Sequence, residues 1–245
     1  MTLRHEAIEA IRDLILSGEL AGDTSEREIL KALEKRKRAS KLLEASRTPI
    51  REALAVLSHL GLVTQYPQRG IAVLRVTFPE AARSLRFRSA IESDVFGEFV
   101  EREPDEWKDA LVKANQAVGE GRTVDQLMRA ETRFHCIVPE LLWLDEPLQS
   151  IRAYSDRLHL FRAQLAKSAT AHDDTLADEA QAFASEHDSM ISALAGGNQQ
   201  RAWLNVDAHS RQILARLKDL AASQGLLEDD LPAYTEAQKQ LKAYA

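Results

Sequence analysis

Three histidines and a glutamate stand in this sequence where helical periodicity calls for apolar side chains. Over residues 123–141 the inward stripe reads Val124, Leu127, Glu131, His135 and Val138, so a carboxylate and an imidazole take two successive core-facing turns. The pattern recurs in Leu176, Ala180, Phe183, His187, Ile191 and Leu194, and again in Trp203, Val206, His209, Ile213 and Leu217. Polar groups are expensive to bury without a partner. A single buried histidine is ordinarily satisfied by a core neighbour, whereas three with a carboxylate on separate helices point toward one shared interior. Glu131, His135, His187 and His209 form a donor set for a divalent transition metal with coordination positions left open, and zinc, nickel and manganese all accept such a set. The spacing of four from Glu131 to His135 puts two ligands on one helix face, and by itself is a weak motif.

An arginine joins this inward set. Leu85, Arg88, Glu92, Val95 and Phe99 share one helical stripe, so Arg88 either pairs with Glu92 one turn away or holds the carboxylate of a bound ligand.

Helices must carry these residues, and the sequence is punctuated accordingly. Glu103-Pro104, Gly119 with Gly121, Asp145 with Pro147, Gly196-Gly197 and Leu231-Pro232 separate helices read at 79–102, 105–119, 123–141, 146–169, 174–195, 198–224 and 231–243. Antiparallel helices with short connections make a bundle, which builds sites from side chains on facing helices.

The first 76 residues have a different texture. In the stretch 46–76, SRTPIREALAVLSHLGLVTQYPQRGIAVLRV, one helix is followed by a tight hairpin, the second half of a winged helix-turn-helix. Thr48 can cap that helix and Pro49 suits its first position, with Ser46 as an alternative start. Ile50, Ala53, Leu54, Leu57 and Leu60 make its apolar face, leaving Arg47, Arg51 and Ser58 on another, free to meet a phosphate or a base edge. Gly61 stops the helix. Strands at 62–66 and 71–76 flank a turn of Pro67, Gln68, Arg69 and Gly70, which puts Arg69 at the hairpin tip. Upstream, Ile8, Ile11, Leu14 and Ile15 mark a first helix, and Ser25-Glu26-Arg27-Glu28 opens a second. The basic run that follows, at residues 31–41, is about ten residues longer than a compact winged helix needs. It reads either as a solvated helical extension or as a phosphate-contacting arm.

Charge divides along the same line. Residues 1–76 hold 13 Lys and Arg against 10 Asp and Glu, while residues 77–245 hold 19 against 28, giving +3 and −9 within the net −6. DNA affinity depends on the charges that face phosphates rather than on the total. The single cysteine, Cys136, excludes an intrachain disulfide framework and a multi-cysteine zinc site, and reads as a small buried hydrophobe. No apolar run approaches the roughly 20 residues that span a bilayer, and the N-terminus is amphipathic rather than signal-like, so the expected location is the cytoplasm.

SRTPIREAL followed by GLV, then RG and a short strand, resembles the signature of GntR-family bacterial transcriptional regulators. The remainder resembles the FadR-type branch with its helical FCD domain. Arg88 to Glu92, Glu131 to His135, and Glu186-His187 through Asn198 to His209 fall in order on that branch's inward residues. The resemblance implies that Arg47, Thr48 and Arg51 contact operator DNA, that Gly70 lets the wing approach the minor groove, and that Arg27 touches DNA from the second helix. It implies a metal held by Glu131, His135, His187 and His209, a small organic acid facing Arg88, and a homodimer. Glu131 stands where the family usually has aspartate, and the helix at 231–243 runs past the usual end.

The expectation is therefore a mainly α protein. A winged helix-turn-helix over residues 1–76 binds DNA, and a bundle of six or seven helices over 77–245 binds effector and dimerises. It would act as a ligand-responsive transcriptional regulator, a repressor, and not as an enzyme. A metal-dependent hydrolase is the alternative from another class. It needs a general base and a leaving-group site that the sequence does not name. A metal-sensing regulator without an organic effector is the third reading.

Overall fold

The computed structural model describes residues 2–36, 48–66, 70–102, 107–168 and 175–227. Arg47 and Arg69, residues 37–46 of the basic region, and the helix expected at 231–243 lie outside the described residues.

Among the described residues, the N-terminal unit has three helices and two paired strands: α1 (Leu3–Leu16), α2 (Glu26–Glu34), α3 (Thr48–His59), β1 (Val63–Tyr66) and β2 (Gly70–Val73). Ser25 and Glu28 close a capping box at the start of α2, with the Ser25 backbone N–H 2.9 Å and its hydroxyl 2.7 Å from Glu28 Oε2. α1 packs along α3, burying Ile11, Leu14 and Ile15 with Leu54 and Leu57. The strands pair antiparallel from Val63 with Val73 to Tyr66 with Gly70. Residues just before α2 run beside β2, through Asp23 N–H to Val73 O and Val73 N–H to Thr24 O, each 2.9 Å. Among the described residues these elements supply the helices and the two paired strands that a winged helix-turn-helix requires.

The second strand is shorter than the sequence pattern suggests, ending at Val73 rather than Val76. Beyond it the backbone is claimed from elsewhere: Gln164 accepts from Val76 N–H (3.2 Å) and donates to Leu74 O (2.9 Å). Leu74 N–H still reaches Leu62 O at 2.9 Å, while Gln164 takes the polar groups that face the bundle.

Six helices follow among the described residues: α4 (Phe78–Arg102), α5 (Trp107–Gly119), α6 (Val124–Leu141), α7 (Asp145–Ser168), α8 (Leu176–Ala195) and α9 (Gln199–Ser223). Glu80 caps α4 from Thr77, Thr123 caps α6 and Asn198 caps α9. The main packing pairs are α4 with α7, α7 with α6, α6 with α5, α5 with α8, α8 with α9, and α9 with α4. Those contacts close a ring, and all six helices face a common interior.

Trp203 departs from its expected inward place. It is 49% exposed, while Ala202 beside it is fully buried. The observed stripe of α9 runs Ala202, Val206, His209, Ile213, Leu217 and Ala221, so the smaller of two adjacent residues went inside. Cys136 is buried and free as expected, and burial pushes its thiol up to about 11. Iodoacetamide at pH 8 should therefore leave the native protein unlabelled and modify the denatured chain. Fast labelling of the native form would contradict this burial. Among the described residues no helix is long and apolar enough to cross a membrane.

Candidate metal and effector site

Glu131, His135, His187 and His209 meet at one point inside the ring, their nearest ligand atoms all within 4.8 Å of one another. Glu131 Oε1 lies 3.1 Å from His135 Nε2 and 3.0 Å from His209 Nε2, and Oε2 lies 3.2 Å from His187 Nε2. The His209 Nε2 is 3.3 Å from that of His135 and 3.3 Å from that of His187. All four residues are at most 1% exposed.

The other ring nitrogens explain why this cluster faces inward. His209 Nδ1 sits 2.6 Å from Glu186 Oε2, and Glu186 is fastened by Arg216 at 2.7 Å. His187 Nδ1 sits 3.1 Å from Asn115 Oδ1. The Asn115 amide nitrogen is already committed to Ala184 O (2.9 Å) and Asp188 Oδ1 (2.8 Å), so its oxygen must accept and His187 must donate from Nδ1. His135 Nδ1 faces Glu92 Oε1 at 3.1 Å. Phe134 stacks on the His187 ring, with centroids 3.7 Å apart.

With the Nδ1 protons directed outward, the Nε2 lone pairs converge on one another and on a carboxylate. Such a centre favours a cation, whether a proton or a metal ion. Burial pushes His187 down to about 3, leaving a neutral imidazole. For Glu131, burial alone would raise the carboxyl, but the facing histidines, His187 first, hold it well below its usual range. His209 is raised, because Glu131 and Glu186 outweigh the effect of burial. A centre that draws a proton onto His209 is one that favours positive charge, and neutral imidazole with ionised carboxylate is the form in which these groups ligate metals. The residues therefore fit a divalent transition ion.

Arg88 lies at the edge of the cluster, fully buried. Its Nη2 is 3.4 Å from Glu131 Oε1 and 3.5 Å from His135 Nε2, its Nη1 is 3.5 Å from Ser155 Oγ, and its Nε is 3.2 Å from Glu92 Oε1. Arg88 therefore pairs with Glu92, as one alternative has it, and the same guanidinium also faces the centre.

The structure adds Asn115, Ser155 and Glu186 to the site. Asn115 was detectable by the rule that exposed the histidines, because it lies on the buried face of α5 with Leu111, Ala114 and Val118. Partners of this kind typically contribute 10- to 100-fold in metal affinity. Asn115→Leu, which leaves the His187 proton without an acceptor, should weaken zinc binding by roughly that factor in a competition titration. Unchanged affinity would show that Phe134 stacking alone orients His187.

In the N-terminal unit, Arg51, Ala55 and Ser58 of α3 line a groove with Gln65 and Gly70 of the hairpin. Gly70 has φ +78°, the left-handed backbone that favours glycine, and open space where a Cβ would be. Arg27 and Thr48 are exposed at the starts of α2 and α3, outside that groove's lining. Arg36 does not extend freely into solvent, because it pairs with Glu19.

Over residues 83–212 the sequence matches the FCD domain family. The match covers more than half of the chain, and the chain belongs to that family. No curated protein matches the sequence. Among solved structures, one assigned as a GntR transcriptional regulator from Rhodococcus sp. RHA1 superposes with a TM-score of 0.69 at 19% identity, covering 89% of this chain and 99% of its own. McbR/YncC of E. coli gives 0.67 at 16% identity, covering 89% and 98%. Lar, which controls expression of the Listeria monocytogenes agr system, gives 0.53 at 14% identity, covering 90% and 98%. At these identities the likeness is one of fold.

Proposed function

We propose that this protein is a ligand-responsive DNA-binding transcriptional repressor of the cytoplasm. Residues 1–76 bind a pseudo-palindromic operator and residues 77–245 bind effector and dimerise. Arg27, Arg47, Thr48, Arg51, Arg69 and Gly70 meet the DNA. Glu131, His135, His187 and His209 hold a divalent transition metal, and a small carboxylate bound there, held by Arg88, modulates operator binding. The metal supplies a Lewis-acidic anchor for the carboxylate, and Arg88 a second positive charge.

One observation carries this reading: the Arg88 guanidinium stands within 3.5 Å of two of the four metal-ligating side chains. The guanidinium places a second positive charge beside the metal set, and its planar fork matches a carboxylate in two-point geometry. The family membership and the shared fold support a regulator. The carboxylates near the cluster face cations or imidazoles, Glu92 beside Arg88 and His135, and Glu186 beside His209 and Arg216.

The test combines metal analysis of the purified protein with thermal shifts against a panel of small carboxylates, with and without chelator. A binding acid at 100 times its dissociation constant stabilises the native state by roughly 2.7 kcal/mol. The shift should vanish with chelator. Arg88→Met should keep the metal and lose the shift. An acid that stabilises the chelated protein equally would uncouple acid from metal, and metal alone altering operator affinity with no acid effect would favour the metal-sensing regulator.

A further inference from the structure

α7 lies between the buried cluster and the N-terminal unit, and adjacent residues on it serve the two sides. Ser155, 1% exposed, faces Arg88 across 3.5 Å. Asp156, 2% exposed, turns the other way and receives Arg12 of α1 in a two-point pair, with Nε to Oδ2 at 2.8 Å and Nη2 to Oδ1 at 2.5 Å. Successive side chains on a helix diverge by about 100°, which allows one helix to hold both contacts. The grip on the N-terminal unit is repeated along α7. The Arg157 guanidinium occupies the space a Cβ on Gly61 would need, and Gln164 holds the backbone of Leu74 and Val76.

From Arg12 the path continues by packing, since α1 lies along α3, the helix that carries Arg51. We propose that Asp156 is the residue through which the occupant of the Arg88 site controls the winged helix. An anion that draws Arg88 away from Ser155 changes the seat of α7, and the Arg12–Asp156 pair carries that displacement into α1 and α3. This rests on the reading that a small acid binds at Arg88.

The pair suits the task because its geometry fixes direction. Apolar side chains can slide over one another, whereas a buried guanidinium and carboxylate joined at two points move together or separate. Two further charged contacts flank the seam: Glu9 lies 4.0 Å from Arg12, and Arg129 of α6 pairs with Asp13 at 3.0 Å. An open cleft beside the pair, lined in part by Leu60, Arg133, Cys136 and Gln149, leaves room for the shift.

The experiment uses the full chain loaded with zinc and an operator selected from randomised duplexes. The probe is whichever of acetate, lactate or malate gives the largest thermal shift on the wild type. Operator affinity is measured with and without it. The wild type should change by roughly 5- to 150-fold, the usual span of such coupling. In Arg12→Met with Asp156→Leu, which removes both charges together, zinc and acid affinities should stay within about twofold, while the operator response to acid falls to nearly none. Asp156→Asn, which keeps the shape and weakens the pair, should give an intermediate response and guards against misfolding of the double variant. A full wild-type response in a folded double variant overturns the latch alone. Absence of any acid response in the wild type overturns the acid-responsive reading, and the latch with it.

Discussion

Glu131→Gln is expected to abolish metal binding and also to make the metal-free protein less stable than the wild type. The Glu131 carboxylate lies 3.0–3.2 Å from all three histidine Nε2 atoms, so it is the shared member of the set. Replacing it by the isosteric amide removes the negative charge that a cation needs. It also takes away the anion that faces Arg88 at 3.4 Å and holds His209 raised, so the metal-free state loses a depressed carboxylate that stabilises the fold. With metal present at roughly 1,000 times the dissociation constant, the wild type gains about 4.1 kcal/mol. For a chain of this size that corresponds to roughly 8–16 °C in Tm. The variant should show neither the shift nor stoichiometric metal by elemental analysis. One full equivalent of metal in the variant would remove Glu131 from the ligand set.

A second large effect is expected at the DNA. Arg51 is exposed on α3, in the groove that also contains Gly70. A bidentate arginine–guanine contact contributes about 1–3 kcal/mol of discrimination, so Arg51→Ala should weaken operator binding by roughly 5- to 150-fold and relax sequence preference at one position. Because the side chain is exposed, thermal stability and oligomeric state should not change. Equal affinity and equal preference in a fluorescence-anisotropy titration would take Arg51 out of the readout.

The most legible part of the site was the part that broke a rule. Glu131, His135, His187 and His209 interrupt apolar stripes, and the ring of helices brings all four to one point. Arg88 was legible as inward, but its role was not, because a guanidinium has enough donors to pair with Glu92 and face the centre at once. Ser155 left no comparable trace. It is a small polar residue on a helix, and its importance comes from Arg88, 67 residues away, which periodicity cannot supply. The misplacement of Trp203 has a related cause. A stripe extrapolated by threes and fours leaves two neighbours equally eligible at a helix start, and only packing decides that Ala202 goes inside. The two strands were visible from their alternation, but the end of the second was not, because a glutamine from α7 takes the Leu74 carbonyl and the Val76 N–H, a partner the strand pattern cannot show.

The closed ring of helices also determines when the cluster can form. Glu131 meets His209 across 78 residues of chain and Asn115 meets His187 across 72, while Arg88 meets Glu131 across 43. Loops of this length must be closed by burial of apolar side chains before any of these polar groups can touch, so the centre cannot act as a folding nucleus. Interactions absent from the transition state leave the folding rate almost unchanged and appear in the unfolding rate. An ion held by Glu131 and the three histidines would therefore act as a brake on opening: apo and loaded chains would fold at similar speed, and the loaded ring would open far more slowly.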